Sequence, residues 1–225
     1  MEPIFEAVLK GEQAVARILR SAPYAHREQA SRDILVDAIP HWLYVGDTPL
    51  HLAAAALRPG VAEILLRSGS DPNLENRRAA TPLHYACDAR PRLGGIWDPE
   101  AQGVIIRLLV EHGARVDHPD SGGATPLHRA VRARSVEAVR HLLSRGARTD
   151  CRLRARVSTP LHLAAQSTGA SGTAGTLELQ IEIIGLLRQH GADPIAADGA
   201  NRTPGDWARN ERIAAALGRT GNVNS

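Results

Sequence analysis

Apolar residues fall along this chain in two short patterns that alternate and recur. In the first, one leucine is followed at fixed distance by a pair of small or apolar residues. The sets are Leu50 with Ala53 and Ala54, Leu83 with Ala86 and Cys87, Leu127 with Ala130 and Val131, and Leu161 with Ala164 and Ala165. In the second, apolar residues recur every three or four positions: Val61, Ile64, Leu65; Ile105, Leu108, Leu109; Val136, Val139, Leu142; Ile183, Leu186, Leu187. A spacing near 3.6 gathers each second set on one side of a helix. The chain therefore predicts pairs of short helices. The first of each pair is thin and approaches its neighbours closely; the second is amphipathic.

Start and stop signals bracket these helices. Thr-Pro-Leu-His occurs four times, beginning at Thr48, Thr81, Thr125 and Thr159, and a degenerate copy begins at Thr203. The threonine can accept a first-turn amide as N-cap, worth about 1 kcal/mol. The proline then takes the first helical position, where its missing donor costs nothing. Each second helix runs into a glycine, at Gly69, Gly113, Gly146 and Gly191, where a left-handed residue ends it. The spacings between successive Thr-Pro steps are 33, 44, 34 and 44 residues. A fixed period of that size is the signature of a repeat array.

Two motifs in register over four copies closely resemble the ankyrin-repeat family, strongly over residues 48–217 and more weakly over 4–23. The resemblance implies an all-α solenoid of stacked helix-turn-helix units joined by finger loops, about six repeats including caps. The expected organisation is one domain over 1–217. It comprises an N-terminal cap at 4–23, an atypical helical or loop insertion at 24–47, full repeats at 48–80, 81–124, 125–158 and 159–202, and a C-terminal cap at 203–217. Residues 218–225 are expected as a disordered tail. In the C-terminal cap Asp206 stands at the histidine position and Trp207 follows it.

Three segments depart from the period. Residues 24–47 are longer than a normal connection, and 28–39 is expected to form an extra helix ended by Pro40. Residues 90–102 are inserted between the helices of one repeat, and Asp98-Pro99-Glu100 reads as a cap and first turn after them. Residues 166–176, rich in Gly, Ser, Thr and Ala, are inserted at the matching place two repeats later and read as a flexible loop. Such insertions either widen one edge of the solenoid or are neutral growth, since loop length costs little.

Composition changes this picture only slightly. The net charge of +3 argues nothing about partners. Lys10 is the one lysine among 27 basic residues, which suggests the coding bias of a GC-rich, bacterial genome. No apolar run approaches the roughly 20 residues of a membrane helix, and nothing at the N-terminus reads as a signal peptide. The expectation is a cytoplasmic monomer. Cys87 and Cys151 are isolated, so they make neither a disulfide framework nor a metal set.

Ten histidines invite a catalytic or metal reading. However, His51, His84, His128 and His162 belong to the repeated motif, and in the family this residue bonds turn backbone and staples repeats together. No His-x-x-x-His or Cys-x-x-Cys is present, nor any phosphate-binding glycine loop or nucleophile elbow. Neither an enzyme nor a cofactor is expected. Asn201-Arg202-Thr203 matches a glycosylation sequon but reads better as a turn, with Asn201 in a left-handed conformation.

The resemblance implies a partner protein held on the concave face by finger loops and first helices. Carried over position by position, the contact residues are Glu75, Arg77 and Arg78, then Pro119 and Ser121, then Arg152 and Arg154 at finger tips. Tyr85, Asp88, Arg129, Arg132 and Gln166 are the contacts on the first helices. Between 129 and 156 nine arginines face only Glu137 and Asp150, and one finger there lacks the usual glycine and carries an extra residue. That stretch suggests either a solvated loop or a site for an acidic protein surface or phosphate groups. A polyanion or nucleic-acid binder is the alternative function, although no aromatic platform is interleaved.

Overall fold

The computed structural model describes residues 3–36, 41–88, 98–166 and 176–218. The inserted stretches 89–97 and 167–175, Pro40, and the tail expected at 218–225 beyond its first residue lie outside the described residues. Helices come in pairs along the chain: α1 Pro3–Lys10 and α2 Glu12–Ser21, α3 Pro49–Ala55 and α4 Pro59–Arg67, α5 Pro82–Asp88 and α6 Pro99–Glu111, α7 Pro126–Ala133 and α8 Val136–Ser144, α9 Pro160–Ala165 and α10 Thr176–Gln189, α11 Pro204–Trp207 and α12 Glu211–Ala216. The first helices stack on one another in chain order to form an inner layer, and the second helices stack to form an outer layer.

The stack follows from the two apolar patterns. Leu50, Leu83, Leu127 and Leu161 are fully buried, as are Ala53, Ala54, Ala86, Cys87, Ala130, Val131, Ala164 and Ala165. Ile105, Leu109, Val139, Leu142, Ile183 and Leu187 bury the outer helices against them. Asp98 accepts the amides of Glu100 and Ala101 at 2.9 and 3.1 Å, so the expected cap starts α6.

The motif histidine works on both sides. The Thr48 amide donates to His51 Nδ1 at 3.0 Å, which leaves the proton on Nε2, and Nε2 donates to the Ala80 carbonyl of the next finger at 3.1 Å. His84 reaches Ala124 O and His162 reaches Arg202 O, each at 3.0 Å. Burial lowers the His84 pKa to about 3 and that of His128 to about 4. Both of these rings are therefore neutral near pH 7. In the last pair Asp206 stands at the histidine position and accepts the Thr203 amide, at 2.8 Å.

The fingers are joined by one backbone hydrogen bond at each step: Arg77 N to Val45 O, Ser121 N to Arg78 O, Arg154 N to Gly122 O and Gly199 N to Arg156 O, at 2.8–2.9 Å. In each, the residue two before the threonine is left-handed: Gly46, Ala79, Gly123, Val157 and Asn201. The expectation for Asn201 holds.

Residues 28–36 differ from the helix expected over 28–39. Strand β1 Ile34–Val36 pairs antiparallel with β2 His41–Leu43, with Leu35 opposite Trp42. Asp33 accepts the Val45 amide at 3.0 Å and Ala30 donates to Asp47 O at 2.7 Å, so this segment is sewn onto the finger row. The run Ile-Leu-Val favours strand, and pairing across the row outweighs weak helix propensity.

The insertions share a device. Gln102 Nε2 donates to Ala86 O at 2.8 Å and Gln180 Nε2 donates to Ala164 O at 3.0 Å, each sixteen residues on. Each amide satisfies a carbonyl near the end of the inner helix whose chain departs into the insertion.

Candidate functional site

A groove of about 460 Å³ opens on the side of the inner helices and fingers. Helices α5 and α7 supply one wall through Asp88, Arg129 and Arg132. The fingers supply the other through Arg78, Ser121, Gly122 and Leu153, with Tyr44 at the near end.

Its electrostatics centre on Arg129. The guanidinium reaches Asp88 Oδ2 at 2.5 Å and Asp120 Oδ2 at 2.7 Å, and the side chain is only 13% exposed. Burial alone would raise the Asp120 carboxyl, but the Arg129 hydrogen bond and the Ala124 amide outweigh it, so the carboxyl lies below the usual range. Arg132 touches the other Asp88 oxygen at 3.2 Å and is 52% exposed. The Arg78 guanidinium lies 4.1 Å from the centre of the Tyr44 ring and is exposed.

The twelve positions expected to bind are not equivalent. Arg78, Asp88, Ser121, Arg129 and Arg132 gather in the groove, and Arg154 lies beside it, with its stem against Gly123. Arg77 is instead paired with Asp33, Glu75 with His118, and Pro119 sits exposed outside the groove. Arg152 braces the fingers, donating to Val157 O at 2.9 Å and Ala197 O at 2.6 Å. Gln166 ends α9, where its carbonyl takes hydrogen bonds from Arg134 and Gln180.

Tyr85 also lines the groove but is held in the core. Its side chain is 2% exposed and packs edge-on to His51 at 5.2 Å. The hydroxyl donates to Asp47 Oδ2 at 2.7 Å and accepts from Asn76 at 2.9 Å. Asp47 is a fully buried carboxylate and needs such donors. The ring belongs to the core, and only its polar edge borders the groove.

The arginine-rich stretch does not form one surface stripe. Arg129 is clamped in the groove, and buried Arg134 donates to Val131, Leu163 and Gln166 carbonyls. Arg140 pairs with Glu182, Arg145 with Glu111 and Arg148 with Asp150.

Sequence reasoning missed Tyr44, Asn76, Asp120 and Leu153. A signal for two of them was present: Asn76, Asp120 and Asp198 each stand five residues before a Thr-Pro step.

Comparison with known proteins agrees with this geometry. A family model described as "Ankyrin repeats (3 copies)" matches residues 55–153, and one described as "Ankyrin repeat" matches 158–199. Human neurogenic locus notch homolog protein 4 is 36% identical over 104 residues, 46% of this chain and 5% of that protein. Mouse NF-kappa-B inhibitor alpha is 56% identical over 41 residues, 18% of this chain and 13% of its own. Mouse B-cell lymphoma 3 protein homolog is 29% identical over 193 residues, 74% of this chain and 40% of its own. The chain thus spans between 5% and 40% of the length of these relatives. The repeats form a protein-interaction domain, and the chain belongs to the ankyrin-repeat family.

Proposed function

We propose that this protein is a scaffold that holds a partner protein in the groove between the inner helices and the fingers. One observation carries the reading. Arg78, Ser121, Arg132 and Leu153 converge on a single groove from different repeats, and the side chains of Arg78, Ser121 and Arg132 are exposed rather than part of the apolar core. Positions free of packing duty are where a repeat protein writes specificity. The name of one relative, NF-kappa-B inhibitor alpha, is that of a protein acting on another protein, which supports the same class of function. The protein acts as a cytoplasmic monomer in this reading. Among the described residues no helix is long and apolar enough to cross a membrane.

The test is affinity capture with the intact protein and with Leu153→Glu, which places a charge at the groove rim. Arg140→Ala on the outer layer serves as the control. Capture runs at moderate salt with nuclease. A protein retained by the intact chain and by Arg140→Ala, but lost with Leu153→Glu, supports the groove. Retention that is indifferent to Leu153→Glu contradicts it. Light scattering at twice 24.1 kDa would contradict the monomer.

A further inference from the structure

The finger at residues 148–158 borders the groove through Leu153 and is built unlike its neighbours. In three other fingers a side-chain oxygen locks the turn. Asn76 Oδ1 accepts the amides of Arg78 and Ala80 at 2.8 and 3.1 Å. Asp120 Oδ1 accepts those of Gly122 and Ala124, both at 2.9 Å. Asp198 Oδ1 accepts those of Ala200 and Arg202, both at 2.8 Å. Leu153 holds the corresponding place, donating its amide to Ser158 O at 3.0 Å as Asp120 donates to Ala124 O at 2.8 Å. A leucine can accept neither amide.

Two further features set the same finger apart. Its left-handed residue is Val157, with φ of 54°, a conformation that is a genuine outlier for a β-branched side chain. The histidine that should staple it, His128, is 1% exposed, and its Nε2 has no hydrogen-bond partner among the described residues. The Ser158 carbonyl, which stands where Ala124 O and Arg202 O stand, still acts on the ring. The finger is held by Arg152 through Val157 O and Ala197 O, by Leu153 N to Ser158 O and Val157 N to Leu153 O within it, by Arg148 N to Asp117, and by single backbone bonds to each neighbouring finger.

The groove's charges are unevenly satisfied. Asp88 and Asp120 are taken by Arg129, and Arg132 spends one nitrogen on Asp88. Asp88 and Asp120 balance Arg129 and Arg132, and among the described residues Arg78 in the groove and Arg154 beside it have no carboxylate partner, so the excess charge there is positive.

We propose that the groove takes carboxylate side chains of an acidic peptide segment, held by Arg78 and Arg132 on the fixed wall and by Arg154 on the finger at 148–158, which acts as an adjustable jaw. The inference rests on the protein-binding reading of the groove. Guanidinium groups pair with carboxylates in bidentate geometry, and a finger that lacks the side-chain turn lock of its neighbours can shift to complete the pairing at small cost. A nucleic acid fits less well. The Tyr44 face is covered by Arg78, so no stacking platform is open in the groove among the described residues.

The experiment uses the full chain and a fluorescein-labelled deca-glutamate peptide, read by anisotropy at low and moderate salt. Arg78→Ala and Arg132→Ala are each expected to weaken binding about tenfold. Arg140→Ala on the outer layer, where Arg140 pairs with Glu182, should leave it within about twofold. Amide exchange of Leu153 and Val157 in the free protein should be faster than that of Asp120 and Gly123, and slowed by the peptide. Equal loss with Arg140→Ala, tighter binding of a ten-residue thymidylate, or equal exchange in the two fingers overturns the proposal. If the peptide fails to bind while Leu153→Glu still abolishes capture of a protein, the acidic chemistry falls and the groove reading stands. If neither occurs, both fall.

Discussion

The histidine braces predict a particular loss of stability in acid. His84 accepts the Thr81 amide on Nδ1 at 3.1 Å and donates from Nε2 to Ala124 O at 3.0 Å, so both nitrogens are used in the neutral form. Burial, followed by the nearby Arg129 charge, lowers its pKa from 6.5 to about 3. The folded state therefore binds its proton less readily than the unfolded chain. The stabilisation is complete above pH 6.5 and is lost as pH falls towards about 3. At pH 5 the unfolded histidine is almost fully protonated and the folded one is not, a difference worth about 2 kcal/mol. His84→Gln removes this titration. Urea unfolding followed by circular dichroism should show the variant less stable than the intact protein by about 1–3 kcal/mol at pH 7.5, where buried hydrogen bonds are lost. That gap should narrow by about 2 kcal/mol at pH 5. A gap that stays constant between the two pH values would refute the reasoning, because His84 would then titrate alike in both states.

Two further changes probe the fingers and the groove. Val157→Gly relieves a left-handed β-branched residue, worth about 1–3 kcal/mol, against a glycine entropy cost of about 0.5–1. Calorimetry should show the melting temperature rising, and a fall contradicts the strain. Arg129→Ala leaves the Asp88 and Asp120 carboxylates without their clamp and should cost about 3–5 kcal/mol in chemical denaturation. A loss under about 1 kcal/mol would mean that the pair is not held dry.

Most of the solenoid was legible because its information is local. Thr-Pro starts, leucine and alanine spacing, and glycine stops all act within one helix pair, and repetition showed them four times over. The hairpin Ile34–Val36 with His41–Leu43 was not legible. Its three-residue strands carry no alternation long enough to outweigh a helix-compatible composition, and pairing depends on the adjacent fingers. Tyr85 was misjudged for a related reason. The motif leaves its position free, but Asp47, 38 residues earlier, folds beneath it and requires a donor. The groove pairings are equally non-local. Arg129 meets Asp88 and Asp120 only once α5 and α7 stack. Meanwhile, a run of arginines that reads as one patch divides between helix, turn and finger because neighbouring residues point to different faces.

In the proposed function, partners are held in the groove, not on the outer layer. The most direct measurement places a photo-crosslinking side chain at Ser121, on the groove rim, and separately at Arg140, on the outer layer, and compares adducts formed in lysate. The account predicts a discrete protein adduct from position 121 and none of that mass from position 140. The same adduct from position 140 alone would contradict it.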